Sequence, residues 1–221
     1  MKKINLFDMQ VNTLIFNDFS ENTYVIFDET NEAVIIDPGC FYEKEKNALV
    51  QYFERKNLKP VKIINTHCHI DHVLGVDFLK EKYGIEFYAS KKDEYIFDFL
   101  LVSAKMYGLA VDKAPKIDKY IAEGDIISFG NSELKILDVP GHTLGHIAFY
   151  SEKEKFVITG DVIFKDSIGR TDLPGGDLDI LLDSIKNKLF LLGEDFTVFP
   201  GHGEPTNIGT EMMHNPFLRF D

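Results

Sequence analysis

The sequence from His67 to His72, His-Cys-His-Ile-Asp-His, places three imidazoles and a carboxylate within six residues. It follows an apolar run at residues 61–65, which is typical of a buried β-strand. His67 and His69 lie on the same side of an extended backbone, whereas the last two residues follow a bend and can face a second point. Imidazole nitrogen and carboxylate oxygen are suitable ligands for zinc, non-haem iron and manganese. The stretch therefore predicts a metal-binding loop at the end of a strand.

Three downstream segments have one pattern in common, in which a strand-like run is followed by glycine and then by a side chain that can bind metal. They are Gly141-His142, Gly160-Asp161 and Gly201-His202. Glycine allows the backbone to turn sharply and to approach an ion closely. Ligands collected from several strand ends indicate a site built by the whole fold, in contrast to a local zinc finger.

The order His-x-His-x-Asp-His, Gly-His, Gly-Asp, Gly-His resembles the metallo-β-lactamase superfamily over nearly the whole chain. Residues 35–39, Ile-Ile-Asp-Pro-Gly, look like the first motif of that superfamily. Residues 167–177 and the closing Asn-Pro-Phe-Leu at 215–218 are similar to small glyoxalase II-like hydrolases. The resemblance implies two divalent metal ions, with zinc expected first and iron or manganese as alternatives.

The resemblance also implies a ligand set made of two groups and one bridging carboxylate. The first ion would be held by His67, His69 and His142, the second by Asp71, His72 and His202, and Asp161 would bridge them. Two cations that share a hydroxide hold a nucleophile at neutral pH, because bound zinc lowers the pKa of water from about 15.7 towards about 7. Asp71 and Asp161 are the expected catalytic carboxylates, since one can accept a hydrogen bond from this hydroxide and the other offsets the repulsion between the cations.

Strand and helix patterns alternate along the chain, which predicts an α/β fold. The resemblance implies the four-layer αββα sandwich, formed by one domain over residues 1–221. The predicted strands are Val11–Phe16, Tyr24–Phe27, Ala33–Ile36, Lys116–Ala122, Leu134–Val139, Ile147–Tyr150 and Phe156–Thr159. The predicted helices are Glu43–Lys56, Asp77–Tyr83, Lys92–Tyr107 and Asp177–Phe190. The third helix is unusually apolar and is interpreted as core, with a role at the mouth of the site or in a dimer as the alternative.

Charge and cysteine content exclude several classes of partner. A net charge of −12 provides no basic surface for nucleic acid and disfavours anionic membranes. Two cysteines in 221 residues are too few for a disulfide scaffold. The sequence has neither a signal-peptide pattern nor an apolar run of about 18 residues. We therefore expect a cytoplasmic protein that acts on a small molecule.

Four further side chains are interpreted as supporting or structural. Cys68 lies within the metal loop but points away from its histidine neighbours, which predicts a packed thiol. His146 follows His142 by four residues and is expected to support or pack against the ligands. Asp37 precedes a Pro-Gly turn and is expected to support the ligands, whereas His214 is expected to be structural.

Arg170 is the candidate for substrate binding. It matches the position at which glutathione-using glyoxalase II enzymes carry a cation, and arginine can grip a carboxylate through two hydrogen bonds. The alternative is an ion pair with Asp172 or Asp177. Gly203-Glu204 replaces the glutathione-contacting tyrosine of those enzymes, and their C-terminal helical domain is not expected here. Both differences predict a less selective enzyme.

The sequence thus favours a two-metal thioester hydrolase similar to hydroxyacylglutathione hydrolase. A thiolate leaving group needs little protonation, because the pKa of a thiol is only about 8.5. The alternative is a mononuclear iron persulfide dioxygenase, because such proteins share the fold, the Thr-His-Cys-His-x-Asp-His loop and a Gly-Arg-Thr-Asp stretch. A non-catalytic metal-binding protein is the third hypothesis.

Overall fold

The computed structural model describes residues 9–218, which form two six-stranded sheets. The first sheet contains, in spatial order, β1 (Gln10–Phe16), β2 (Glu21–Phe27), β3 (Glu32–Ile36), β4 (Lys59–Ile64), β5 (Glu86–Ala89) and β6 (Lys119–Tyr120). β1, β2 and β3 pair antiparallel, and β3 to β6 pair parallel. The parallel part is connected by helices α1 (Glu43–Lys56), α2 (Ile70–Val73), α3 (Val76–Tyr83) and α4 (Phe97–Met106).

The second sheet continues the chain and is mostly antiparallel. Its strands are β7 (Ile126–Phe129), β8 (Ser132–Asp138), β9 (Ile147–Ser151), β10 (Phe156–Gly160), β13 (Thr197–Pro200) and β14 (Thr206–Asn207). Their spatial order is β14-β13-β10-β9-β8-β7. A small hairpin of β11 (Ile163–Phe164) and β12 (Ser167–Ile168) follows β10. Helices α5 (Leu178–Ser184) and α6 (Ile208–His214) complete this half.

Alternating side chains in the strands explain the layering. Tyr24 and Ile26 of β2 pack in the core between the sheets, together with residues of β8 and β9. Val25 and Phe27 point the other way and pack against α1 and α3. Every residue of β2 is buried, because both faces of the strand are covered. A third core joins the outer face of the second sheet to α5 and the turns after it. The result is the predicted αββα order of layers.

Three predicted elements differ in the structure. The helix predicted over Lys92–Tyr107 is a 3₁₀-helix at Lys91–Ile96 that continues as α4. The helix predicted over Asp177–Phe190 is α5, followed by one wide π turn at Ile185–Leu189. The strand predicted over Lys116–Ala122 is paired only at β6, because it forms the sheet edge and has a single neighbour.

Strand register sets where the site is assembled. Ile36 of β3 pairs with Ile64 of β4, so the loops after these two parallel strands begin side by side. β10 and β13 are also parallel and in contact at Gly160 and Pro200, so the loops after them are neighbours as well. Within residues 9–218, no helix has the length and apolar character required to span a bilayer.

Candidate metal centre

The bend predicted between the two halves of the metal loop is a single helical turn. His67 to His69 continue beyond β4 in irregular backbone, and His69 is the extended residue that precedes α2. Asp71 and His72 lie in α2 itself, so their side chains point in a different direction from those of His67 and His69.

The seven side chains that the sequence predicts as metal ligands all come together. The potential ligand atoms of each of two groups lie within 4.8 Å of one another: His67, His69 and His142 in the first, and Asp71, His72 and His202 in the second. Asp161 lies between them: its Oδ1 is 3.5 Å from Nε2 of His72, and its Oδ2 is 3.7 Å from Nε2 of His142. A carboxylate in this position can reach both groups.

In four of the imidazoles, Nδ1 faces away from the centre of the site and makes a hydrogen bond that orients the ring. Their Nδ1 atoms contact an oxygen of Thr66 (3.1 Å, from His67), Asp37 (3.1 Å, from His72), Arg170 (2.8 Å, from His142) and Phe19 (3.1 Å, from His202). Each contact turns Nε2 towards the centre, as is usual for histidines that bind metal. His69 instead presents Nδ1, which lies 2.9 Å from Nε2 of His142.

Several inward-facing atoms are buried and have no hydrogen-bond partner in the described part of the chain. They include Nε2 of His67, Nε2 of His72 and Oδ1 of Asp161. Buried polar atoms are normally paired, because an unpaired one costs roughly 1–3 kcal/mol. Lone pairs that converge without donors fit cations, and the nitrogen and oxygen donor set suits zinc, iron or manganese.

The two groups differ in electrostatics. Burial lowers the pKa of His69 to about 3 and that of His142 to about 4, so the first group is neutral and offers lone pairs. Burial also acts to lower the pKa of His72, but Asp71 and Asp161 raise it well above its ordinary value. The same two carboxylates would also favour a bound cation at the second group.

Asp37 and His146, which are expected to support the ligands, contact candidate ligands in the structure, and Cys68 is packed as expected. Asp37 accepts hydrogen bonds from the backbone and hydroxyl of Thr66, at 2.7 and 2.6 Å, besides contacting His72. His146 stacks on His67 and accepts the backbone N–H of Asp161 at Nε2, 3.1 Å away. Cys68 is fully buried in the apolar core. His214 lies at the exposed end of α6.

A profile of the metallo-beta-lactamase superfamily matches residues 16–202, which include all seven candidate ligands. The chain belongs to the metallo-beta-lactamase superfamily. It is therefore a member of a metallo-hydrolase superfamily, whose fold holds divalent metal.

One curated relative is hydroxyacylglutathione hydrolase GloC of Haemophilus influenzae. It is 38% identical over 217 residues, which cover 95% of this chain and 98% of the relative. A second relative, 36% identical over 200 residues, is the probable metallo-hydrolase YqgX of Bacillus subtilis, with coverage of 89% and 92%.

Solved structures of this superfamily match closely. TTHA1623, solved in a di-iron-bound form, has a TM-score of 0.82 and 37% identity, and the match covers 95% of this chain and all of that one. The B3 metallo-beta-lactamase BLEG-1 has a TM-score of 0.87 and 35% identity, with coverage of 96% and 100%. ETHE1 of Myxococcus xanthus has a TM-score of 0.76 and 28% identity, with coverage of 94% and 83%.

Sequence reasoning missed Asp93, which lies in the 3₁₀-helix at Lys91–Ile96. Its carboxylate accepts hydrogen bonds from the backbone of Cys68 (3.1 Å), the hydroxyl of Thr143 (3.0 Å) and the backbone of Gly145 (2.7 Å). Asp93 thus connects the loop that carries His67 and His69 to the loop that carries His142. In sequence it is one of several charged residues and carries no local signal of burial.

A second missed carboxylate lies behind His72. Glu21 opens β2, is fully buried, and places Oε1 3.9 Å from Nδ1 of His72. Its Oε2 accepts a hydrogen bond from the hydroxyl of Thr23 at 2.8 Å. Burial raises the pKa of Glu21 well above its ordinary value.

Gly201 shows why a glycine precedes a ligand. A Cβ atom built on it would lie 2.1 Å from Oδ1 of Asp161 and 2.9 Å from Cε1 of His72. Any side chain would therefore displace the carboxylate of Asp161, and glycine is required by space at this position.

The site has an open edge at His202. The side chain of His202 is 27% exposed, whereas that of His72 is fully buried. The ring of Phe164 lies 6.3 Å from the ring of His202, and that of Phe19 makes an edge contact with Tyr107 at 4.8 Å. Part of the apolar helix predicted as core thus reaches this mouth through Tyr107.

Arg170 adopts the alternative that the sequence left open. It is exposed, and its Nε and NH2 atoms each lie 2.7 Å from an oxygen of Asp172. The backbone oxygen of Arg170 also holds His142, so the residue lies beside the metal centre whatever its side chain binds.

Proposed function

We propose that the protein is a two-metal thioester hydrolase, similar in activity to hydroxyacylglutathione hydrolase. One observation carries the proposal: two complete ligand groups lie on either side of Asp161, whose oxygens are 3.5 Å from His72 and 3.7 Å from His142. The 38% identity to GloC over almost the full length of both chains supports the choice of thioesters.

His67, His69 and His142 would hold one ion, Asp71, His72 and His202 the other, and Asp161 both. When bound, two divalent cations supply a hydroxide nucleophile at neutral pH and polarise the carbonyl under attack. Zinc is the ion we expect first, with iron or manganese as alternatives.

The residues around the ions perform the remaining tasks. Asp71 lies 3.2 Å from Nε2 of His202 and would accept a hydrogen bond from the nucleophile. His146 and Asp37 keep Asp161 and His72 in orientation through the hydrogen bonds described above. A thiolate leaves without help from a general acid, because its pKa of about 8.5 is already low.

The residues at the mouth of the site would bind the thiol portion of the substrate. Arg170 would exchange its bond to Asp172 for a carboxylate of the thiol portion, as its exposure allows. The rings of Phe19, Tyr107 and Phe164 provide apolar surface beside the open edge of His202. Cytoplasm is the compartment that we propose, consistent with two buried free cysteines.

A persulfide dioxygenase is the second candidate, favoured by the 28% identity to ETHE1. Such an enzyme needs only one iron, on two histidines and one aspartate. The complete first group around His67, His69 and His142 favours the two-metal hydrolase.

The test compares both activities in one protein preparation. Protein purified without chelator is assayed for release of free thiol from a panel of thioesters and for oxygen uptake with glutathione persulfide. The proposal requires thiol release without oxygen uptake and about two metal equivalents per chain by elemental analysis. Oxygen uptake with sulfite formation and a single iron would establish the dioxygenase instead.

A further inference from the structure

Two buried polar side chains in and just after α6 make no hydrogen bond with a candidate metal ligand. Glu211 lies in α6 and Asn215 follows it, and both are fully buried. Their sequence motif, Asn-Pro after the last helix, has no part in the chemistry proposed above. Buried carboxylates are uncommon unless their oxygens are paired, so the contacts of this pair indicate its role.

The side chains of this pair form hydrogen bonds with the β11–β12 hairpin and with Thr206 of β14. Oε2 of Glu211 accepts hydrogen bonds from the backbone of Asp166 at 3.0 Å and from Nδ2 of Asn215 at 2.8 Å. Oε1 accepts the hydroxyl of Thr206 at 2.6 Å. Nδ2 of Asn215 also donates to the backbone oxygen of Ser167 at 3.0 Å. Two successive backbone groups at the turn of the β11–β12 hairpin are thereby fixed.

The turn needs such support. Asp166 has a φ of 59°, a left-handed conformation that is uncommon for a residue other than glycine. A backbone held in this region persists only where its surroundings enforce it. The bond from Asp166 to buried Glu211 provides that restraint.

The two ends of the same hairpin carry residues of the site. It begins just after Asp161 and ends at Gly169-Arg170. The backbone of Gly169 donates to the oxygen of Val162 at 3.1 Å, and a Cβ on Gly169 would lie 1.8 Å from the backbone oxygen of Asp161. The backbone oxygen of Arg170 is 2.8 Å from Nδ1 of His142.

We infer that Glu211 and Asn215 are positioning residues: they lock the hairpin so that Asp161, Arg170 and the backbone contact to His142 keep their places. The mechanical part of this inference stands on the contacts alone. Its effect on substrate binding rests on the proposed function, because it acts through Arg170.

Asparagine is the residue type that the geometry at position 215 requires. Its amide provides two donors, one for Ser167 and one for Glu211, while its oxygen accepts the backbone N–H of Phe217 at 3.0 Å. Aspartate has the same shape but lacks both donors and would face a second carboxylate.

The first experiment measures backbone hydrogen exchange in the full-length protein as purified. Asn215→Ala should speed exchange in peptides spanning residues 162–170 by about fivefold or more, the effect of losing about one hydrogen bond. The matched control is Lys165→Ala, which removes the exposed ion pair with Glu204 from the same turn and should exchange like the parent.

Two substitutions of Glu211 distinguish the effect of its hydrogen bonds from the effect of its charge. The amide of Glu211→Gln can keep an oxygen towards Asp166 and Asn215 and donate to Thr206, so parent-like exchange is expected. Glu211→Ala should behave like Asn215→Ala. Fast exchange in Glu211→Gln, or parent-like exchange in a folded Asn215→Ala, would overturn the inference.

The second experiment separates positioning from general stability. Asn215→Ala should raise KM about fivefold for thioesters with a carboxylate on the thiol, and leave KM for uncharged thioesters near that of the parent. In an Arg170→Ala background the same change should cause no further rise in KM for either class of thioester. An equal rise for both substrate classes would overturn the link to Arg170. If no thioester is hydrolysed, the proposed function fails while the exchange experiment still decides the role of the hairpin.

Discussion

Asp161 is the residue on which both ligand groups depend. Its carboxylate contacts His72, His142 and His202, and its backbone N–H is held by His146. Its burial raises its pKa, so the ionised form needs the positive charge of cations beside it.

We predict that Asp161→Ala loses about one metal equivalent and on the order of 100-fold or more in kcat/KM, while the fold survives. The reason is that both groups lose their common ligand. Elemental analysis, circular dichroism and thioester kinetics provide the measurement. His146→Ala, which removes the acceptor behind Asp161 and the ring stacked on His67 but no candidate ligand, should lose less activity. Full activity in Asp161→Ala would refute the bridging role.

Arg170 supports a prediction about substrate charge. Its guanidinium is exposed and bound to Asp172 on both oxygens, a pair that water screens. We predict that Arg170→Ala raises KM about tenfold for thioesters with a carboxylate on the thiol, and changes uncharged ones little. The check is a panel that varies only the thiol. Asp172→Asn should act in the opposite direction, because it frees the guanidinium.

The candidate ligands were predictable because each carries a local signal. His67, His142 and His202 follow a strand-like run or a glycine, and the structure brings them together where strand ends meet. Glu21 and Asp93 were not predictable. Their burial comes from packing against loops that are more than 15 residues away in sequence, as with Asp93 and Gly145, which are separated by 52 residues.

The 3₁₀-helix at Lys91–Ile96 connects the two loops of the first metal group through Asp93. Desolvation by burial raises the pKa of this carboxyl from 3.8 to about 6, although three hydrogen bonds oppose the shift. Because the folded state favours the protonated form, the stability from this shift is present below about pH 4 and is lost as pH rises through about 6.

We therefore predict a pH-dependent difference between the parent and Asp93→Asn. The free energy of unfolding of the parent, relative to the variant, should fall by about 3 kcal/mol between about pH 4 and about pH 7. Denaturant titrations of both proteins across this range make the measurement. Parallel curves would show that Asp93 does not change its protonation on folding.

The interrupted helices show where periodicity fails as a guide. The apolar pattern of residues 92–107 gives no sign that the first turns are a 3₁₀-helix and not an α-helix. In the structure, the buried carboxylate of Asp93 holds these turns in place through its hydrogen bonds with the backbone of Cys68 and Gly145. In the last long helix, Leu181, Ile185 and Leu189 are fully buried at a strict spacing of four. A repeat of 3.6 residues drifts away from that spacing, and the wide π turn compensates.

The order of layers was predictable from the resemblance to the metallo-β-lactamase superfamily, because the alternation of β-runs and helices alone indicates only an α/β fold; the αββα sandwich is confirmed. Which strands pair was not predictable in detail. β13 pairs in parallel with β10, although β11, β12 and α5 lie between them in the chain. That pairing depends on the packing of the whole sheet. Such long-range pairings carry no local sequence signal.

Metal removal should weaken the entire protein. Without cations, converging lone pairs and two carboxylates remain buried with unpaired atoms. We predict that a strong chelator lowers Tm by roughly 5–10 °C and that two equivalents of zinc restore it, since a ligand at 100 times its Kd contributes about 2.7 kcal/mol. Differential scanning fluorimetry measures the shift. Asp161→Ala should respond less to the chelator, and an unchanged Tm in the parent would contradict a loaded site.

Each ligand group takes two residues from the loop after β4 and one from the second sheet. His69 and His142, which lie 73 residues apart in the chain, are in contact at one such junction. An ion held by either group would link one half of the sandwich to the other, as a disulfide bond does in secreted proteins. By the loop-entropy relation, a link closing a loop of this length stabilises by about 4 kcal/mol. Both cysteines are free, so in this chain the candidate metal centre would provide the cross-link that a disulfide provides elsewhere.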